Sequence, residues 1–277
     1  MLMLEHELVG RDYVEPYAGG ASVALSLLFE DYAAAIHIND LNPGVHAFWG
    51  AVISETDRLC EQINSTPVTI EQWHLQREIA GSAEAGSFEL GFATFFLNRT
   101  NRSGIISGGV IGGKNQEGDW KIDARYNKAD LTSRIRKIGR HRSRIRLTNL
   151  DAVEFLQKWT EPPEVESFIY LDPPYYVKGR GLYDNFYGPE EHASVAQLVG
   201  RLQCPWIVSY DAVPQIMNLY RDWESIRYGL NYSAHTRGQG SEVMFFSPEL
   251  QPPALMPPEV TAKNIMDLRA RAAEATA

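Results

Sequence analysis

With 277 residues, 44% of them hydrophobic and 22% charged, the chain is long enough for one large domain with a smaller one inserted in it. No run approaches the ~20 apolar residues of a membrane span, and Met1–Glu7 has neither the basic nor the long apolar character of a secretory leader. The net charge of −9 argues against a nucleic-acid partner, and two cysteines without metal-ligand spacing, Cys60 and Cys204, point to reduced thiols in a cytoplasmic protein with no metal site.

Tyr13-Val14 opens a strand that runs into Glu15-Pro16-Tyr17-Ala18-Gly19-Gly20, and Val23, Leu25, Leu27, Leu28 and Phe29 then give a helical apolar face. A second strand over 35–38 ends in Asn39-Asp40, and Pro43 sits near the start of a helix. Strand, glycine turn and helix make the first unit of a doubly wound α/β sheet. From about 55 to 140 the rhythm changes, which predicts an inserted subdomain. A capping box at Thr69–Gln72 starts a helix there, Phe88–Leu97 is an apolar helix, and the six glycines of Ser103–Gly118 specify a loop or hairpin. The αβ rhythm then resumes: strand 144–147, helix 151–159, strand 168–171, helix 189–202, strand 206–209, helix 213–220 and a hairpin of 225–232 with 242–247. A proline-rich tail with a short Ala/Arg-rich helix closes the chain.

The distribution of charge reverses the first impression from its sum. Between Arg99 and Arg146 thirteen Lys/Arg stand against four acids, half of all the basic residues in the chain. A basic face on an acidic body is an electrostatic footprint for phosphates. Three acids, Glu15, Asp40 and Asp172, fall at the ends of predicted strands, where open α/β sheets bind ligands, and Asp151 lies just past a fourth. Gly19-Gly20 allows close approach of a ligand, and Asp40 is placed to accept both hydroxyls of a ribose. The acidic loop lacks a G-x-G-x-x-G pattern, which favours a nucleoside over a dinucleotide. Gly108–Lys114 matches G-x-x-x-x-G-K, but Asn115 replaces the Mg²⁺-binding hydroxyl and no buried strand precedes it, so a triphosphate site is rejected.

Leu171-Asp172-Pro173-Pro174-Tyr175 is the most telling segment. Each proline lacks an N–H and fixes its φ, so the chain leaves the sheet there. A carboxylate, two carbonyls without ladder partners and an aromatic face suit a planar ring that bears an amino group.

Those residues, with Tyr13–Gly20, Asn39-Asp40, Phe96-Leu97-Asn98-Arg99, Asp151, Trp206–Asp211 and Gly240–Phe246, occur in the order seen in adenine-N6 DNA methyltransferases. The chain resembles their Dam-like (D12 class) branch over roughly residues 12–247. The resemblance implies a Rossmann-like S-adenosylmethionine-dependent methyltransferase sheet. Its first part would be 1–54 and its second 141–250, with a mostly helical target-recognition insertion at 55–140 and a tail at 251–277. It implies that Glu15, Tyr17, Gly19, Gly20, Asp40, Asp151 and Asp172 bind S-adenosyl-L-methionine. Asp172, Pro173, Pro174 and Tyr175 would receive an adenine flipped from double-stranded DNA, and Arg99, Arg102 and Lys114 would contact that DNA. A restriction endonuclease partner is compatible with such an activity, and no membrane partner is implied. Family members begin with a Pro-Gly-Gly-Lys-like segment that the eleven residues before Asp12 do not match, which predicts weakened cofactor affinity. The competing reading is a methylase-derived DNA-binding regulator with little or no activity.

Overall fold

The computed structural model describes residues 2–162, 165–177, 187–231 and 239–252. In chain order the strands are β1 (Asp12–Glu15), β2 (Ile36–Asn39), β3 (Ile145–Thr148), β4 (Ser167–Leu171), β5 (Trp206–Asp211), β6 (Ser225–Asn231) and β7 (Gln239–Phe246). The helices are α1 (Leu2–Glu5), α2 (Ser22–Phe29), α3 (Pro43–Ser54), α4 (Thr56–Ser65), α5 (Ile70–Gly81), α6 (Ser87–Thr100), α7 (Lys128–Arg140), α8 (Ala152–Gln157), α9 (Pro189–Val199) and α10 (Pro214–Leu219). The chain divides into two compact units, Met1–Tyr17 with Val153–Ala277, and Ala18–Ala152.

In the first unit the strands lie in the order β1-β4-β5-β7-β6. β1 and β4 run parallel with Val14 opposite Ile169, and β4 and β5 run parallel with Leu171 opposite Val208. A parallel step needs a crossover, and α9 supplies it between β4 and β5. β7 runs antiparallel to both β5 and β6. Flanked on both edges, β5 is buried at all six residues, which is why Trp206-Ile207-Val208 reads as an unbroken apolar run. Prolines at the first turns of α9 and α10 start those helices where a missing N–H costs nothing.

In the second unit β2 and β3 pair in parallel, Ile36 opposite Ile145 and Asn39 opposite Thr148. α3 begins at Pro43 behind Asn42, whose side-chain oxygen accepts from Gly44 N and Val45 N at 2.9 and 3.1 Å. Thr69 caps α5 by accepting from Gln72 N at 3.2 Å, as the capping box predicts. α6 passes so close to α3 that a Cβ on Gly91 would stand 2.5 Å from the carbonyl oxygen of Ala47. Phe48 stacks on Phe95 beside that crossing, and Phe95 and Phe96 pack against Tyr126.

Parallel strands joined through helices, with one antiparallel strand between β5 and β6, make the Rossmann-like α/β fold expected from the sequence. Three helices, α1, α4 and α7, were not anticipated. The helix expected over 151–159 is shorter, Ala152–Gln157, and that over 189–202 ends at Val199. The predicted terminal helix and Tyr232, the expected end of β6, lie outside the described residues. Among the described residues no helix is long and apolar enough to cross a membrane.

Candidate functional site

The first unit gathers acids at the carboxyl ends of its parallel strands. Glu15 is the last residue of β1, Asp172 follows β4 and Asp211 ends β5. Glu15 is buried and accepts a hydrogen bond from the Tyr13 hydroxyl at 3.0 Å. Just past the two prolines and Tyr175, the N–H groups of Tyr176 and Val177 donate to the two carboxylate oxygens of Asp211 at 2.9 and 3.1 Å. The chain that leaves the sheet at Asp172 is therefore tied back to the neighbouring strand. Among the described residues no donor reaches the carbonyl oxygens of Asp172 or Pro173.

Glu242, on β7, completes the cluster. Its register partners are Asp211 on β5 and Tyr228 on β6. Although only 4% exposed, its carboxylate accepts from two phenols: Tyr175 Oη on one oxygen and Tyr228 Oη, at 2.9 Å, on the other. Ser209 Oγ lies 3.2 Å from Tyr228 Oη. Tyr175 is thus held by its hydroxyl. Asp172 keeps contact with solvent, yet its surroundings of protein atoms and the nearby Glu242 charge raise its carboxyl to about 6. Burial chiefly, with the Asp172 charge adding to it, raises the Tyr170 phenol.

An aromatic layer backs the turn. Tyr176 lies against His192, with ring centroids 5.1 Å apart, and His192 Nδ1 is 2.9 Å from Tyr210 Oη. Tyr17 meets Tyr187 edge-on at 6.0 Å. Burial holds the Tyr17 and Tyr210 phenols well above their usual range.

In the second unit the glycine turn is braced from three directions. Ala18 N donates to Asn39 O at 2.9 Å, Gly19 N to Asp40 Oδ2 at 2.8 Å, and Trp49 Nε1 to Gly19 O at 2.9 Å. Gly19 takes φ +47°, in the region that favours glycine, and a Cβ on Gly19 or Gly20 would meet nothing within 4 Å. The other oxygen of Asp40 accepts from Asn42 N at 2.9 Å. Burial raises the Asp40 carboxyl, and the two backbone donors act against that rise. Each oxygen, spending one lone pair on backbone, retains acceptor capacity. That pair of acceptor oxygens and the open space over the glycines fit a vicinal diol. Asn39, at the end of β2, holds Thr148 Oγ1 and Leu150 N, and so fixes the start of the segment that carries Asp151.

The basic loop belongs to the same unit. Asn101 is fully buried, accepts from Trp73 Nε1 at 2.7 Å, and donates to the carbonyls of Ile105 and Ile106. Gln116 and Lys121 brace the far end through the carbonyls of Ile111, Gly113 and Gly118. Turns and bends, with no helix, follow Gly108–Lys114, in keeping with rejection of the triphosphate motif. Arg102 and Lys114 are exposed on this braced loop. Arg99 is half-buried with its guanidinium on Asn98 Oδ1, and burial, followed by the Arg125 charge, lowers its pKa. Several other cations of the basic stretch serve the fold: Lys128 donates to the carbonyls of Asn64 and Thr66, and Arg144 to those of Ala33 and Ala34.

Asp211, Glu242 and Trp49 were not singled out as site residues from the sequence. Asp211 carried the same signal as the other strand-end acids. Glu242 and Trp49 acquire their roles from partners distant in the chain.

Fold and motif order together define an α/β methyltransferase. The model of the D12 class N6 adenine-specific DNA methyltransferase family matches residues 3–234, and the chain belongs to this family. No curated protein sequence matches it. Solved structures that resemble it include HI0767 of Haemophilus influenzae (10% identity, 90% of this chain and 95% of that one, TM-score 0.37). A conserved hypothetical protein of Streptococcus pyogenes shares 9% identity over 91% of this chain and 98% of that one, at TM-score 0.34. LPL1258 of Legionella pneumophila shares 13% over 92% and 81%, at TM-score 0.33.

Proposed function

We propose that the protein methylates N6 of adenine in double-stranded DNA, with S-adenosylmethionine as donor and the Asp172–Tyr175 turn as the seat of the flipped base. The observation that carries this reading is the turn itself: a carboxylate, and carbonyls that no donor among the described residues reaches, beside an aromatic residue fixed by its hydroxyl. The Asp172 carboxylate and the Pro173 carbonyl accept the two N6 hydrogens, which leaves the nitrogen lone pair as its only outlet. Tyr175 stacks on the base, in the manner of pockets that receive an extruded nucleotide. The bound cofactor supplies a methyl group on a sulfonium centre, open to direct displacement by an amine. Once N6 has gained a fourth bond, Asp172 is the nearest acceptor for the proton that must leave. A carboxyl raised to about 6 holds such a proton better than an ordinary one. Positioning and electrostatics carry the rate.

Asp40 would hold the ribose hydroxyls, with Gly19 and Gly20 beneath an open approach. Glu15, Tyr17 and Asp151 are assigned to the same cofactor by the family resemblance. Arg102 and Lys114, exposed on the braced loop, would meet DNA phosphates, with Arg99 behind them. Replacing Arg102 and Lys114 by alanine should weaken DNA binding and flatten its salt dependence.

The test is transfer of tritiated methyl from S-adenosylmethionine to unmethylated genomic DNA. Label should enter DNA with the wild-type protein and fall by about 10²–10³-fold in Asp172→Ala. A folded wild-type protein that binds DNA without transferring label would instead establish the regulator.

A further inference from the structure

We propose that Glu242 is a positioning residue of the transfer site, aiming the Tyr175 ring through its phenol and acting on Asp172 by its charge. This rests on the reading of the Asp172–Tyr175 turn given above. Glu242 is buried on a strand antiparallel to the one that Asp211 ends, and one of its carboxylate oxygens receives the Tyr175 hydroxyl. The other receives Tyr228 from β6, so the carboxylate cannot turn without breaking a bond. Tyr175 follows two prolines, and the N–H groups of the two residues after it are bound to Asp211. Main chain and ring are then fixed by separate acids on adjacent strands. Asp211 sets where the turn goes, and Glu242 sets which part of Tyr175 faces a ligand. A phenol turned toward a base would offer a polar edge; a phenol turned into the sheet offers the ring.

The second consequence is electrostatic. The groups coupled to Asp172 by charge are Glu242 on β7, Tyr13 on β1 and Tyr170 on β4. Every one of them is an acid or a phenol. Burial raises the Asp172 carboxyl most, and Glu242 is the charge that adds to it. Without that charge the carboxyl should release its proton at lower pH, yet still above the ordinary range because the burial remains.

The experiment uses the full chain with Glu242→Gln, Tyr175→Phe and the double variant. Carbon-13 titration of the Asp172 carboxyl in the free protein should give a midpoint near 6 for the wild type and a lower one for Glu242→Gln. Single-turnover transfer to DNA should slow by about tenfold in each single variant, and the double variant should be no slower than the slower single, because both act on the same linkage, one by removing its charge and the other its donor. An unchanged Asp172 midpoint in Glu242→Gln, or rate losses that multiply in the double variant, would overturn the assignment. If the wild type transfers no methyl to DNA, the reading of the turn fails and the titration alone decides the role of Glu242. The glutamine variant keeps shape and an acceptor oxygen, and Tyr175→Phe loses only a half-buried hydroxyl, so neither is expected to unfold the chain.

Discussion

Two strand-end aspartates, one in each unit, are built in opposite ways. Asp40 receives a backbone N–H on each oxygen, from Gly19 and Asn42, and these oppose the cost of its burial. Asp172 faces Glu242, and among the described residues no donor holds it. The first is a fixed anion suited to binding; the second is a carboxylate kept near the edge of protonation, suited to accepting hydrogens from a ligand and then a proton. Residue type and strand position are the same in both, so the difference lies in what the neighbouring loop and strand present to the carboxylate.

That contrast separates their losses. Replacing Asp172 by alanine should cost about 10²–10³-fold in turnover at saturating cofactor, as loss of a group that acts at the reacting atom. Replacing Asp40 should act on the other axis, raising the KM for cofactor by about 10²-fold through lost charge-assisted hydrogen bonds, with little change in turnover. A turnover loss in Asp40→Ala as large as that in Asp172→Ala would erase the distinction. Trp49→Phe removes the donor to Gly19 O while keeping an aromatic ring, and should raise the cofactor KM about fivefold, the worth of one hydrogen bond of about 1 kcal/mol.

The pH dependence sharpens the same contrast. Transfer should rise with pH through a midpoint near 6, where Asp172 becomes an acceptor. Its folded pKa exceeds the unfolded value of about 3.9, so the folded protein holds this proton more tightly. Stability is therefore lost as pH rises from about 4 through about 6, and the penalty is complete above that. Asp172→Asn escapes it. Differential scanning calorimetry at pH 8 should place its Tm above that of the wild type, by no more than about 3 °C because Asp172 meets solvent, and the difference should vanish near pH 4.

Much of the fold was legible because local signals agreed with it. Pro43 behind Asn42, and Thr69 three residues before Gln72, mark helix starts by chemistry that acts within one turn. The acids after apolar runs marked the strand ends for the same reason. Helix α4 was missed although Leu59, Cys60 and Ile63 are buried at helical spacing; only Glu55 separates it from α3, without the glycine or proline that usually flags a break. Glu242 could not be read as a site residue from its neighbours in sequence. Its meaning comes from the register that sets it opposite Asp211 and Tyr228, and from a phenol 67 residues away.

The most direct test pairs Asp172→Asn with Asp40→Asn, measuring cofactor binding by calorimetry and transfer by digestion of labelled DNA to nucleosides. The account predicts label in N6-methyldeoxyadenosine for the wild type. It predicts near-native cofactor binding with transfer abolished in Asp172→Asn, and weakened binding with transfer recovered at high cofactor in Asp40→Asn. Label in another nucleoside, or undiminished transfer in Asp172→Asn, would contradict it.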